Sequence, residues 1–196
     1  MSAHAHRRAG PVIAWVAVAG CAAPPAADTA ARLESLRQQM AAGPTPEGER
    51  AYLAAFPRSY ASFRDVFDSE QFDLLYPRYV EHMTLLEQIG GRRPDDVLDL
   101  QLCIATGAEW QADAVNMLRD QLAATAAREP DRFARALEAR SWSAARSVVT
   151  FLADVECHAS YHEYELAIDG LRAAGHPQWA LEFEQARTAR MLQPNH

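Results

Sequence analysis

Asp154, His158, His162 and Glu165 fall at i, i+4, i+8 and i+11. On a continuous helix they make one stripe of carboxylates and imidazoles, and two histidines one turn apart can chelate a divalent cation. His158 and His162 are therefore the candidate metal ligands. No glutamate follows His158 directly, so the spacing is not that of the zinc-protease motif. Cys157 lies about 100° around the axis from His158 and makes a poor further ligand from the same helix. The competing reading of the stripe is a solvated, mildly acidic helix face.

A second polar set is Glu109, Asp113 and Asn116, spaced one turn apart on a helix expected over residues 109–127. These groups suit acid/base work or a polar rim around an aromatic pocket. Acids at a helix start also have a plainer role, complementing the positive end of the helix dipole. His82 shares a face with Leu85, Leu86 and Ile89 and reads as a hydrogen-bonded core histidine. There is no Gly-x-Ser-x-Gly, no Walker-type loop and no Gly-x-Gly-x-x-Gly, so serine-hydrolase and nucleotide chemistry lack support.

The elements that must position these groups are all helical. Apolar residues recur at three- and four-residue spacing throughout, and no segment alternates with period two. Leu33, Leu36 and Met40 mark a first helix, starting at Asp28 or Thr29 and ended by Gly43-Pro44. Thr45-Pro46-Glu47 opens a second with a capping hydroxyl, a proline in the first turn and an acid. Tyr60, Phe63 and Phe67 share one face of a short third. A longer pattern runs from Phe72 to Ile89, interrupted at Pro77, which either kinks it or starts a new helix there. Residues 97–105 are apolar on nearly every side, which predicts a buried helix at the centre of the core. On the helix over 109–127, Arg119 and Asp120 are expected to point outward. Pro130-Asp131 starts a helix carrying Phe133 and Leu137, and Ser141 caps one burying Trp142, Ala145, Val149 and Leu152. Tyr161, Tyr164, Ile168 and Leu171 mark the next, and His176-Pro177 opens a last helix carrying Trp179 and Phe183. The expectation is an all-α fold of eight to ten helices, a multi-helix bundle or a short stack of antiparallel helical hairpins.

Arg7 and Arg8 precede an apolar run over residues 12–19 and then small residues before Cys21. That order is the charged, apolar and cleavage-zone pattern of a secretory signal. The run is about half the ~20 residues a spanning helix needs. The domain reading is a signal peptide at 1–20, a tether at 21–27 containing Pro24-Pro25, and a single helical domain at 28–196. Without residues 1–20 the chain keeps 176 residues, with 17 Arg against 26 acids and a net charge near −9. This balance disfavours nucleic acid and anionic lipid and favours a basic protein partner. Every fixed cation is arginine; no lysine occurs. Cys103 and Cys157 remain once Cys21 is set aside. In an oxidising compartment they form a disulfide closing about 50 residues and contributing about 3–4 kcal/mol, or they stay buried thiols.

Val18-Ala19-Gly20-Cys21 resembles the lipobox of bacterial lipoproteins. The resemblance implies cleavage before Cys21, a thioether-linked diacylglycerol on its sulfur, and an N-acyl chain on the new terminus. With Ala22 rather than aspartate after the cysteine, it further implies the bacterial cell envelope, at the outer membrane facing the periplasm. Phe56-Pro57, Phe63, Phe67, Leu75-Tyr76 and the run from Trp110 to Asn116 look like a group of uncharacterised bacterial helical lipoproteins, over about residues 50–150. That likeness implies fold and location and carries no activity. Glu34-Ser35 matches a dipeptide of lytic transglycosylases without that family's other motifs. No cofactor is implied beyond the lipid on Cys21. The resulting expectation is a lipid-anchored, non-catalytic protein-binding module, of immunity or inhibitor type or an envelope scaffold. The alternatives are a periplasmic enzyme on cell-wall or lipid substrates, using Glu109/Asp113 or the histidine stripe, and a metal carrier using His158 and His162. An enzyme requires those groups to converge in a concave pocket.

Overall fold

The computed structural model describes residues 24–109, 111, 113–154 and 159–192, the side chains of 159–161 excepted. The described residues are all-helical and contain no strand. In chain order they are α1 (Ala26–Ala42), α2 (Pro46–Ala55), α3 (Tyr60–Phe67), a single 3₁₀ turn (Tyr76–Arg78), α4 (Tyr79–Gly90), α5 (Pro94–Ala105), α6 (Ala114–Arg128), α7 (Pro130–Glu138), α8 (Trp142–Ala153), α9 (Ala159–Ala173) and α10 (Pro177–Met191).

Local chemistry accounts for most of the boundaries. Pro46, Pro94, Pro130 and Pro177 each open a helix, at the position where a missing N–H costs nothing and φ is already helical. Thr45 accepts from Gly48 N at 3.0 Å, and Ser59 and Ser62 cap α3 reciprocally. Gly107 and Gly175, with φ of 73° and 86°, turn the chain out of α5 and α9 where a side chain would be strained.

At Pro77 the structure takes the second of the two readings, a new helix, and residues 68–75 before it are not helical. Asp68 Oδ1 accepts from Glu70 N at 3.0 Å, and Leu75 N donates back to Val66 O at 3.2 Å. These bonds fold residues 68–75 into turns that leave Phe72 66 % exposed, so the helix begins only at Tyr79.

Packing follows the apolar stripes. α5 is the central element, buried at Val97, Leu98, Leu100, Leu102, Ile104 and Ala105, and it touches α2, α3, α4, α6, α7 and α8. Its neighbour α6 lies along α9, which in turn packs on α10, while α10 also lies against α8. At the other end α1 closes over α2 and α3, where Phe56, Phe63 and Phe67 stack with centroids 5.0–6.2 Å apart.

Three expectations are corrected here. Arg119 points inward and is only 2 % exposed, because α6 is sandwiched between α5 and α9 and its polar strip is narrower than a surface helix requires. Its guanidinium donates to Asp154 O at 2.6 Å and to Asn116 Oδ1, so the buried charge is met by oxygens. Trp142 is 46 % exposed rather than buried, since it sits on the first turn of α8 ahead of the stripe that reaches the core. The helix expected over 109–127 starts at Ala114, with Asp113 at a φ of 64° that helix geometry forbids.

Candidate functional site

The displaced start of α6 decides how the second polar set is arranged. Glu109 and Asp113 lie in the loop before the helix, not on it, so their one-turn spacing is lost. Glu109 is exposed, and its backbone carbonyl accepts from the Tyr60 hydroxyl at 2.9 Å. Asn116 turns to Arg119. Asp113 alone meets the aromatic surface, where its Oδ2 accepts from the Tyr76 hydroxyl at 2.9 Å. The set is therefore not brought together as an acid/base constellation; the polar rim beside aromatic rings is what remains of it.

That aromatic surface is a ladder the chain pattern did not disclose. Phe72, Tyr76 and Tyr79 follow one another with centroids 6.1 and 5.8 Å apart. The 3₁₀ turn places Tyr76 and Tyr79 on one side, three residues apart, which is the repeat of that helix type. Beside it lies a cavity of about 300 Å³ lined by Arg64, Asp68, Glu70, Gln111 and Asp113 among others. The Tyr76 hydroxyl is pushed above its ordinary range by the hydrogen bond it gives Asp113, and burial pushes Tyr60 and Tyr79 the same way. All three phenols stay protonated at neutral pH. With the Tyr60 and Tyr76 O–H groups already donated to Glu109 O and Asp113, what they offer is ring faces and phenol oxygens as acceptors, the chemistry of adhesion rather than proton abstraction. The acidic stretch 68–73 was the available signal, since so many polar residues cannot continue a core helix.

A second polar cluster is buried between α1, α2 and α4. His82 is fully buried, its Nδ1 2.8 Å from the Tyr52 hydroxyl. Its Nε2 lies 3.4 Å from Glu34 Oε2, close enough for attraction without hydrogen-bond alignment. The Glu34 charge favours the tautomer with the proton on Nε2, leaving Nδ1 to accept from Tyr52. Arg37 holds the Glu34 carboxyl down to about 2, with help from Gln38 and Arg78, and burial lowers His82 to about 4. The reading of His82 as a packed, hydrogen-bonded core residue agrees with this geometry.

Of the histidine stripe, His162 is exposed on α9, while Glu165 is paired with Arg187 and Asp154 with Arg190. Both carboxylates of the stripe are thus engaged by arginines of α10. His158 and Cys157 lie outside the described residues, as does Cys21. Cys103 is half-buried with Arg140 Nη2 at 3.9 Å from its sulfur. Among the described residues no group of three His, Cys, Asp or Glu side chains is set to hold a metal ion, and no helix is long and apolar enough to cross a membrane. Comparison of the chain with protein-family models, with curated proteins and with solved structures returns no match.

Proposed function

We propose that this chain is a lipoprotein held at the bacterial cell envelope by a diacylglycerol on Cys21, with its helical body serving as a non-catalytic module that captures a protein partner. The observation that carries the reading is the Val18-Ala19-Gly20-Cys21 motif, followed five residues later by the start of α1 at Ala26. So short a tether, at no more than about 3.6 Å per residue, keeps the body within roughly 20 Å of the bilayer. Several acyl chains hold such a body far more firmly than one, since each buried methylene contributes about 0.8 kcal/mol.

The binder part rests on the Phe72-Tyr76-Tyr79 strip and the acids beside it. Aromatic rings with a polar rim are what protein interfaces enrich. Asp68, Glu70 and Asp113 line the adjoining cavity, and the net charge near −9 without residues 1–20 favours a basic partner. Whether that partner is a toxic effector to be neutralised or a component of envelope assembly depends on its own identity. The tether is tested by Cys21→Ser in the native host. Loss of membrane fractionation and of the acyl mass is the expected outcome, whereas a membrane-bound variant of unaltered mass overturns it.

A further inference from the structure

The last turn of α7, the first turns of α8 and α10 and the bend after α9 enclose a cavity of about 510 Å³. Trp142 stands on its wall with 46 % of its surface open, a costly exposure for the largest apolar side chain. Its indole is backed by Trp179, centroids 5.2 Å apart and planes inclined by 33°. Trp179 is itself only 5 % exposed and so fixes the ring it backs. Both tryptophans line the cavity, and each couples an apolar ring to an N–H donor.

The remaining walls are held in place. Arg140 is anchored by Ala136 O at 2.7 Å and by Asp99 through its carbonyl and Oδ1 at 3.0 and 2.8 Å. His176 sits between Asp131 and Glu138 at 3.1 and 3.3 Å. Side chains fixed this way lose little freedom when a ligand arrives. Two helices begin at the cavity and two end there, so backbone partial charges of both signs meet it. With an arginine and a glutamate on the same walls, neither a cation nor an anion is favoured.

We propose that this cavity binds a neutral pyranose glycan. The weakly positive C–H face of a sugar ring suits the negative face of the Trp142 indole. Its hydroxyls donate to Glu138 and pair with the exposed Gln178 amide on the same walls. The volume admits one or two sugar rings, within the range of known ligand pockets. Glycan binding here is independent of the tether at Cys21, which none of the following measurements reads.

The test follows the indole ¹H–¹⁵N resonances of the full chain during titration with chitotriose and with maltotriose. Saturable shifts of the Trp142 and Trp179 signals with either sugar support the site; chitotriose alone assigns it to amino-sugar glycans, maltotriose alone to glucans. Trp142→Ala is expected to weaken binding roughly tenfold or more, and Trp142→Phe by less, because the platform survives without its N–H. Trp142 is half exposed, so both variants keep the core intact. Three results overturn the proposal: no shift with either sugar at saturation, unchanged affinity in Trp142→Ala, or shifts evoked by acetyl-arginine methylamide and by neither sugar. The last would make the cavity a seat for a protein side chain.

Discussion

His82 shows how a single buried side chain ties stability to pH. Burial lowers its folded value from 6.5 to about 4, so the folded protein resists a proton that the unfolded chain accepts. The stability this represents is complete above pH 6.5 and is lost as pH falls towards 4, reaching about 3 kcal/mol. Glu34, held down to about 2 chiefly by Arg37, adds a further loss that begins only below about 4.5. Urea midpoints at pH 7 and pH 4.5 should therefore fall steeply for the native chain and much less for His82→Leu. A His82→Leu variant with the same pH dependence would place the acid sensitivity elsewhere.

Arg119 offers a sharper test of burial. Arg119→Met removes the donor to Asp154 O and the partner of Asn116, and leaves Asp120 without its neighbouring guanidinium. Half-buried carbonyl and amide oxygens stripped of their donor cost more than the methionine packing returns. A destabilisation of about 1–2 kcal/mol by denaturant titration is expected. A surface arginine, as the helical pattern alone suggested, would cost under about 0.5 kcal/mol.

At the level of elements, α9 approaches α7 more closely than a side chain permits. A Cβ on Gly170 would lie 3.1 Å from Pro130 Cγ and 3.3 Å from its Cβ, against a ring that cannot swing aside. Alanine is the better helix former by about 1 kcal/mol, but overpacking at such a contact costs about 1–3 kcal/mol. Gly170→Ala should thus lower stability by about 1 kcal/mol, read as a reduced thermal midpoint; a rise would show that α7 shifts freely. The prolines that open α2, α7 and α10, and the hydroxyl caps on α2 and α8, were legible because each acts within four residues of itself. The break at Pro77 was legible too, but the late start of α6 was not. It follows the positive φ of Asp113, whose carboxylate is met by Tyr76 from 37 residues away in the chain.

For the whole molecule, charge and surface act together. A basic partner drawn by the net negative charge should bind less well as salt rises, since exposed pairs are screened beyond about 8–10 Å. Capture of that partner from periplasmic extract is expected with the native body and to fail with the Phe72→Ala/Tyr76→Ala double variant. Both side chains lie outside the core, so far-ultraviolet dichroism should be unaltered. Equal capture by the variant would move the interface off the aromatic strip.

The sequence by itself determined the helical class, nearly all helix positions, the buried faces of α5 and α10 and the core role of His82, because periodicity and capping are local properties of a chain. Only the tertiary structure decided that Arg119 turns inward, that Trp142 is left half in solvent, and that Glu109, Asp113 and Asn116 part company. Those outcomes depend on which neighbour occupies each side of a helix, and that is set by packing among segments far apart in the chain.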